Sequence, residues 1–434
     1  MFHTYEEAVD WIHTRLRLGI KPGLKRMEWM MERLNHPERR MKSVHIGGTN
    51  GKGSTVAYLR SILQQAGYQV GTFTSPYFEH FNERISKNGV PINDEDIIQL
   101  VNIIYPLALE LEKTELGGPS EFEIITVMAM VYFSDLSPVD IVIFEVGLGG
   151  RWDSTNIIYP LISIITSIGL DHTNILGNSY EEIAFEKAGI IKNGISLVTA
   201  VKQVEALEVI KKTAQEKKAS FYELNHQFEI IDNHSLQAGE AFSLRTVFET
   251  FHQLEISMVG KHQVENASLA VMASILLKKY YSFMIEETHI QSGLKAAYWP
   301  GRFEFISQNP VVIIDGAHNE EGIEALVSEL KKRYQDKKIH IVFSALRDKK
   351  LDKMIWNLDQ VADKIMFVEF DFPRASKAED LFHISTSNNK DYRHNWKEAI
   401  QEEWTKIKEK EILVITGSLY FLSDVKPYIM NLIK

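Results

Sequence analysis

The chain has 434 residues, of which 44% are hydrophobic and 24% are charged. This composition is typical of a folded globular protein, and the length favours two or three domains. The formal charge of −10 argues against a general nucleic-acid or anionic-membrane binder, although it permits a local basic pocket. The absence of cysteine excludes disulfides, thiolate metal sites and cysteine nucleophiles.

The uncharged stretch at residues 124–134 is too short to span a bilayer. The first residues have neither the basic region nor the apolar region of a signal peptide. We therefore expect a cytoplasmic protein with no membrane partner and no nucleic-acid partner.

The predicted elements begin with two helices. Thr4 and Glu7 form a T-x-x-E capping box, and a second helical pattern covers residues 27–34. Short apolar runs then alternate with helical patterns at residues 56–63, 124–133 and 181–188. The apolar runs, which we predict to be strands, cover residues 44–46, 70–73, 139–146, 161–166 and 197–200. This alternation is typical of βαβ units and predicts a mostly parallel sheet covered on both faces.

Residues 220–257 differ, because short strand-like segments are separated there by polar turns. They predict a small antiparallel subsheet, and a helical pattern returns at residues 266–277. A second alternating block follows the turn at residues 299–301 and predicts a smaller, Rossmann-like α/β domain. We place the boundary near Tyr298, which gives domains at residues 1–297 and 298–434.

Residues 47–55 form a glycine-rich loop between an apolar strand and an amphipathic helix, the context of a phosphate-binding loop. Glycines let backbone N–H groups approach phosphate oxygens, and the helix N-terminus adds a positive dipole end. Lys52 supplies a charge for the β- and γ-phosphates, and Ser54 or Thr55 could reach Mg²⁺. The alternative is a plain strand–helix turn with a solvated lysine. The predicted ATP-binding residues of the loop are Thr49, Asn50, Gly51, Lys52, Gly53, Ser54 and Thr55.

Three polar side chains, Ser75, Glu145 and His172, each follow an apolar run. The carboxyl ends of strands face the ligand crevice of an open α/β sheet, so the three residues predict a Mg²⁺ site. Mg²⁺ prefers oxygen ligands, and a hydrogen-bonded core histidine is the competing interpretation of His172.

Several further motifs occur along this chain in the same order as in a known protein family. The loop resembles the ATP loop of the Mur ligase superfamily, and the whole set resembles the folylpolyglutamate synthases and dihydrofolate synthases. The matching segments lie at residues 74–76, 83–85, 145–151, 167–172, 186–190, 300–302, 315–319 and 416–420. The small departures from the family pattern are Tyr77 and Phe78, Trp152, Ser154 and Gly47. The first two of these changes bear on how the pterin or aminobenzoate is held and leave the ATP chemistry untouched.

The resemblance implies an ATP-dependent ligase that adds L-glutamate to a folate through an acyl phosphate. It implies that Ser75, Glu145 and His172 bind Mg²⁺ and that Lys187 is carbamylated and supports a second ion. The residues implied to be catalytic are Lys52, Lys187 and His318. Taken alone, Lys187 reads as an exposed helix lysine, which is the competing interpretation.

The same resemblance extends the nucleotide site to the second domain. Asn266 is implied to contact adenine, Arg302 the phosphates, and Asp315 the ribose or phosphates. Both domains would then contact ATP and close on it. Asn266 could instead be a helix N-cap. Further candidates for substrate contact are Arg84, Glu121, Phe122, Arg151 and Ser418.

The expected ligands are therefore ATP, two Mg²⁺ ions, a folate and L-glutamate, bound by a monomer. A dihydrofolate synthase or a bifunctional enzyme is the nearest alternative. A nucleotide-dependent switch is more remote, because it would not need the ordered motifs of the second domain.

Overall fold

The computed structural model describes residues 1–19 and 21–433. The chain forms two compact units. The first comprises Met1–His234, Ala241–Ser257 and Gln263–Tyr298, and the second comprises Ser235–Glu240, Met258–His262 and Trp299–Lys434. No helix in the described part of the chain is both long enough and apolar enough to cross a membrane.

The first unit alternates helices and strands, as predicted. Its helices are α1 (Tyr5–Thr14), α2 (Lys25–Arg33), α3 (Lys52–Gln65), α4 (Asp94–Glu112), α5 (Glu121–Val131), α6 (Thr173–Leu176), α7 (Tyr180–Ala188), α8 (Val204–Glu216), α9 (Lys261–Tyr281) and α10 (Glu287–Ala296). Its main strands are β1 (Ser43–Gly47), β2 (Val70–Phe73), β3 (Ile85–Lys87), β4 (Val90–Pro91), β5 (Ile141–Glu145), β6 (Ile162–Ile165), β7 (Ser196–Thr199) and β8 (Phe221–Glu223). The capping box of Thr4 and Glu7 is present at the start of α1.

The eight strands form one sheet in the order β4-β3-β2-β5-β1-β6-β7-β8. The strands from β2 to β8 in this order are parallel, whereas β3 and β4 form an antiparallel edge. Strands β1, β2, β5, β6 and β7 are buried along their whole length, because helices cover both faces of the sheet. The predicted mostly parallel sheet is confirmed.

The prediction for residues 220–257 is partly wrong. Phe221–Glu223 is β8 and pairs in parallel with β7, so it extends the main sheet. The run is too short for sequence periodicity to distinguish the two kinds of pairing. The antiparallel subsheet consists of the three strands that follow, β9 (Phe228–Ser235), β10 (Glu240–Thr246) and β11 (Thr250–Ile256).

The second unit contains a six-stranded sheet in the order β12-β13-β17-β14-β15-β16. Its strands are β12 (Glu304–Gln308), β13 (Val311–Asp315), β14 (Lys338–Phe343), β15 (Lys364–Val368), β16 (Lys390–Arg393) and β17 (Glu411–Thr416). Only β12 is antiparallel to its neighbour. The helices are α11 (Glu320–Arg333), α12 (Leu351–Asp359), α13 (Ala378–Ile384), α14 (Trp396–Lys406) and α15 (Leu419–Ile433). The predicted second α/β fold is confirmed.

Helix α3, which carries the glycine-rich loop at its start, is packed closely by α10. A Cβ atom at Gly293 of α10 would lie 2.5 Å from the Cα atom of Ile62 in α3. The glycine therefore allows the two helix backbones to approach closely. The neighbouring atoms belong to a helix backbone, which cannot move aside as a flexible side chain could.

We expect Gly293→Ala to lower the free energy of unfolding by about 1–3 kcal/mol, because the added methyl group forces the two helices apart. Urea denaturation measures this change. Ser292→Ala, an exposed substitution one residue away on the same helix, is the matched control and should be nearly neutral. Equal stability of the two variants would contradict the close approach of α3 and α10.

Candidate active site

Four neighbouring parallel strands of the first unit bring their carboxyl ends to one edge of the sheet. Phe73 of β2 pairs with Phe144 of β5, and Ile46 of β1 pairs with Glu145 of β5. The loops that follow β2, β5, β1 and β6 therefore begin side by side. This edge is where open α/β sheets bind ligands.

The glycine-rich loop after β1 can be built only with glycine at two positions. Gly48 has a φ of 145° and Gly51 a φ of 88°, both in the region that favours glycine. A Cβ atom at Gly48 would overlap the hydroxyl of Thr166, and one at Gly51 would overlap the amide of Asn266. The loop is thus pressed against its neighbours.

Residues after β6 hold the loop from the other side. The Thr166 hydroxyl donates to the Asn50 carbonyl at 2.6 Å, and the Ser167 hydroxyl donates to the same oxygen at 3.0 Å. The Asn50 N–H donates to the Ser167 hydroxyl at 2.9 Å. The structure therefore fixes the loop before any ligand binds. Our sequence analysis missed Thr166 and Ser167 as site residues, although the end of a strand beside β1 is a signal that could have found them.

Two lysine ammonium groups converge on one carbonyl of the loop. Lys52 Nζ donates to the carbonyl oxygens of Gly48 and Thr49 at 3.1 and 3.2 Å. Lys187 Nζ donates to the same Gly48 oxygen at 3.0 Å. Helix α3 begins at Lys52, so its first N–H groups and these two cations lie in one place, which suits a polyphosphate.

Lys187 is buried, so its interpretation as an exposed surface lysine is wrong. Only 5% of the residue is exposed. Burial, together with the nearby charge of Lys52, lowers the pKa of Lys187 to about 7, although Asp171 and Asp153 oppose the shift. Near neutral pH a large part of the side chain is therefore an uncharged, nucleophilic amine.

Ser75 and Glu145 lie together at the sheet edge, as predicted. The Ser75 N–H donates to Glu145 Oε2 at 3.3 Å, and Glu145 is buried. A carboxylate and a hydroxyl fit the oxygen preference of Mg²⁺, which takes further ligands from water and phosphate. Within residues 1–19 and 21–433, no three His, Asp or Glu side chains group into a metal site by themselves.

His172 is exposed, so its interpretation as a core histidine is wrong. It directly precedes the short helix α6 and has a φ of 51°. Its role as a third Mg²⁺ ligand beside Ser75 and Glu145 stays a prediction.

Asn266 lies beside the phosphate loop but inside helix α9, so its interpretation as an N-cap is wrong. Its Nδ2 donates to Gln263 Oε1 at 3.3 Å, and Gln263 Nε2 donates to the Ser54 hydroxyl at 3.2 Å. Gln263 therefore connects Asn266 to the start of α3. The sequence analysis missed Gln263, although its i, i+3 spacing from Asn266 places both on one helix face.

The candidate substrate residues of the first unit form two groups. Phe122 packs its ring against Gly147, two residues beyond Glu145, and lies 5.7 Å from the ring of Phe73. Glu121 lies beside Phe122 at the start of α5, 3.9 Å from His13.

The two candidate arginines are both flanked by aromatic rings. Arg84 is buried, and its guanidinium lies 5.2 Å from the ring of Tyr77. The guanidinium of Arg151 lies between the rings of Trp152 and Phe185, at 4.6 and 5.0 Å. Both arrangements hold a flat cation in a fixed orientation.

The second unit groups its candidates at the end of β13. Asp315 accepts N–H bonds from Phe303 at 2.8 Å and Ala317 at 2.9 Å. Burial raises the pKa of Asp315, whereas Arg302 and these two bonds oppose the rise. His318 Nδ1 lies 2.8 Å from the Gly316 carbonyl, so it carries the proton of the neutral ring, and Nε2 carries the lone pair.

Arg302 and Ser418 complete this group. Arg302 donates to the Gly316 carbonyl at 3.3 Å. Ser418 is buried and follows β17, whose Thr416 pairs with Asp315. The structure thus brings all four candidates of this unit to neighbouring strand ends.

The fold and these strand-end loops define a nucleotide-dependent ligase of the Mur type, and comparison with known proteins agrees. Residues 46–274 match the Mur ligase middle domain, and residues 301–419 match the glutamate ligase domain of the Mur ligases.

Individual relatives and solved structures show which family within the Mur ligase superfamily this chain resembles. The chain is 50% identical to a dihydrofolate synthase/folylpolyglutamate synthase of Bacillus subtilis, over 98% of this chain and 99% of that protein. It matches the Mycobacterium tuberculosis folylpolyglutamate synthase complexed with ADP with a TM-score of 0.91 and 28% identity, over 98% of this chain and 97% of that one. A solved FPGS–AMPPCP–folate complex matches with a TM-score of 0.86 and 29% identity over the full length of both chains. The chain therefore belongs to the folylpolyglutamate synthase and dihydrofolate synthase family of the Mur ligase superfamily, as its motifs predicted.

The pKa of Lys187 predicts a specific pH dependence of stability. Below pH 7 the folded and unfolded chains are both protonated at Lys187, and the burial penalty is fully present. Between about 7 and the ordinary value of 10.5, unfolding takes up a proton, so the free energy of unfolding rises with pH.

We expect the rise of the free energy of unfolding with pH, at most about 1.4 kcal/mol per pH unit, to be absent in Lys187→Met. Urea denaturation of both proteins from pH 7 to about pH 10, in buffers free of CO₂, measures the difference. Parallel curves for the two proteins would show that the pKa of Lys187 is not lowered.

Proposed function

We propose that the protein is a folylpolyglutamate synthase, which uses ATP to join L-glutamate to a folate by an amide bond. The observation that carries this proposal is the convergence of Lys52 and Lys187 on the phosphate loop, beside the Ser75–Glu145 pair. The 50% identity to a dihydrofolate synthase/folylpolyglutamate synthase supports the choice of substrates.

The proposed reaction has two steps. A carboxylate oxygen of the folate attacks the γ-phosphorus of ATP, and the bond to the β,γ-bridging oxygen breaks, which gives an acyl phosphate and ADP. The amine of glutamate then attacks the acyl carbon, loses a proton and expels inorganic phosphate. Both steps depend mainly on positioning and on stabilising negative charge.

The first unit supplies the groups for phosphoryl transfer. Lys52 Nζ exchanges its loop carbonyls for the β- and γ-phosphate oxygens, while the start of α3 binds phosphate through its N–H groups. The other loop residues between Thr49 and Thr55 contact the phosphate chain of the nucleotide, and Asn266 contacts the adenine. Bound Mg²⁺ would neutralise phosphate charge, with Ser75, Glu145 and His172 as its proposed ligands.

We assign Lys187 the further role of a carbamate. Its neutral amine attacks CO₂, forms a C–N bond as one C=O π bond of CO₂ breaks, and releases a proton, which leaves an anionic carbamate beside the phosphate loop. A pKa near 7 makes the amine available for this reaction at physiological pH. The carbamate would support a second Mg²⁺ ion.

The second unit supplies groups for the nucleotide and for the later step. Asp315 and Arg302 are assigned to the ribose and phosphates. Nε2 of His318 can accept the proton that the attacking amine loses, because Nδ1 is committed to the Gly316 carbonyl. Arg84, Arg151 and Ser418 remain proposed contacts for the carboxylates of the substrates.

A bifunctional enzyme is a second candidate, because the Bacillus subtilis relative carries both names. Dihydropteroate also has a free carboxylate, so the same two steps would join it to glutamate and produce dihydrofolate.

The decisive experiment measures ADP release and product mass with ATP, L-glutamate and either tetrahydrofolate or dihydropteroate. We expect glutamate-dependent ADP release with tetrahydrofolate and a product heavier by one glutamyl residue. ADP release that depends on neither glutamate nor folate would instead indicate a nucleotide-dependent switch and would refute the proposal.

Lys52→Ala should lower kcat by about 10²–10³-fold without unfolding the protein, because it removes a charge that stabilises the transferring phosphoryl group. The ligation assay and circular dichroism measure the two properties. Lys212→Ala, on the exposed face of α8, is the matched control and should keep full activity. Near-normal ligation by Lys52→Ala would count heavily against the scheme.

Removal of CO₂ should lower activity, and added bicarbonate should restore it, if Lys187 is carbamylated. Native mass spectrometry should then find the added mass of one CO₂ in the wild type and not in Lys187→Ala. Short carboxylic acids should partly rescue Lys187→Ala, because they supply an anion at the same place. Full activity without CO₂ would exclude this role.

Three broader features are also proposals. We infer domains at residues 1–297 and 298–434, a monomeric protein and a cytoplasmic location. Size-exclusion chromatography with light scattering tests the oligomeric state.

A further inference from the structure

A buried ion pair joins helix α2 to the start of helix α5. Arg26 Nε lies 2.8 Å from Glu123 Oε1 and 3.1 Å from Oε2. The two side chains are 12% and 2% exposed. The residues are 97 positions apart in the chain, so the pair is a tertiary contact and not a local helix interaction.

Further hydrogen bonds extend this contact to the whole segment before α5. Arg26 also donates to the Lys21 carbonyl at 2.9 Å, and Lys21 Nζ donates to the Gly118 carbonyl at 2.9 Å. Glu123 Oε2 accepts the Ser120 N–H at 2.7 Å as part of a capping box. The segment from Gly118 to Glu123 is therefore held at both ends by residues that precede or begin α2.

The segment held in this way carries Phe122. Its ring packs on Gly147, where any side chain would collide with it, and it lies 5.7 Å from the ring of Phe73. Gly147 is two residues beyond Glu145, and Phe73 is two residues before Ser75. The ring therefore stands beside the strand ends that carry the proposed metal ligands.

We propose that the Arg26–Glu123 pair positions Phe122 as one wall of the site for the folate acceptor. This inference rests on the proposed function and deepens it. A folate presents flat aromatic rings, which gain binding energy from an aromatic wall only at defined distances and angles. Arg26 and Glu123 act through Phe122 and are positioning residues.

The buried location of the pair favours this role over simple stabilisation. Desolvation of two charges offsets most of their attraction, so a buried pair is weak evidence for stability and fits a geometric constraint better. Helix α2 also carries an exposed pair, Arg33 with Glu110, at 3.1 Å. The two pairs join the same helix to different partners, and only the buried one holds the segment that carries Phe122.

The test is the kinetics of Arg26→Met with each substrate varied in turn. We expect the KM for tetrahydrofolate to rise about tenfold, because the wall is misplaced, while the KM for ATP changes less than about twofold. The KM for glutamate should stay equally constant. Arg33→Met, which breaks the exposed pair of the same helix, should leave all three values unchanged.

Two further variants separate positioning from stability. In Arg26→Met with Glu123→Gln no unpaired charge stays buried and the side-chain oxygen can still accept the Ser120 N–H, so stability should recover while the KM for tetrahydrofolate stays high. Arg26→Met added to Phe122→Leu should cost little beyond Phe122→Leu alone, because both act through one wall. If Arg26→Met does not fold, Arg26→Lys replaces it and should raise the same KM by less, because lysine keeps the charge but loses the rigid guanidinium that donates to both Glu123 and the Lys21 carbonyl.

The outcomes are distinguishable from those of the proposed function. If the wild type shows no folate-dependent ligation, the proposed function fails and this inference fails with it. If the wild type is active and a folded Arg26 variant keeps its KM for tetrahydrofolate, only this inference is overturned. Equal changes in all three KM values, or additive effects with Phe122→Leu, would also overturn it.

Discussion

Strand β1 hydrogen-bonds in parallel to β5 on one side and to β6 on the other, so all three strands must end at the same edge of the sheet. Strand β2 adds a fourth end through its parallel pairing with β5. The phosphate loop, Ser75, Glu145 and Thr166 are neighbours for this reason alone. A one-residue shift of β5 against β1 would turn Glu145 to the other face of the sheet, because successive side chains alternate. The buried apolar residues of these strands prevent such a shift.

Positive charge concentrates at this edge of the sheet. Lys52 and Lys187 share the Gly48 carbonyl, and each raises the cost of charging the other. The loop cannot relax away from them, because Gly48 and Gly51 are already in contact with Thr166 and Asn266. The groups at this edge are therefore held in positions that suit a polyphosphate anion. Preorganisation of this kind stabilises a transferring phosphoryl group without reorganisation at the moment of reaction.

Sequence patterns located the site where chemistry and strand position coincide. The glycine-rich loop, Ser75 and Glu145 could be predicted, because each follows a recognisable apolar strand. The burial of Lys187 could not, because a helical pattern does not say which face meets the loop after β5. A Cβ atom at Gly150 would lie 2.9 Å from the carbonyl oxygens of Glu186 and Lys187, so this loop packs closely on the end of α7. Asn266 was open to an N-cap interpretation because the polar residues at the start of α9 hide where the helix begins.

The proposed acceptor side of the site depends on different parts of the chain from the proposed phosphate side. The groups proposed to bind phosphate follow β1, β5 and β6, whereas Phe122 is held by contacts between α2 and the start of α5. Contacts between positions 26 and 123 leave no local periodic signal, so only the folded chain reveals them. Because the two sides have separate supports, residues beside the candidate substrate arginines, such as Tyr77 and Trp152, can vary while the nucleotide loop keeps its geometry. Members of a family with this arrangement can differ in the acid that they activate while the groups that bind the nucleotide stay in place.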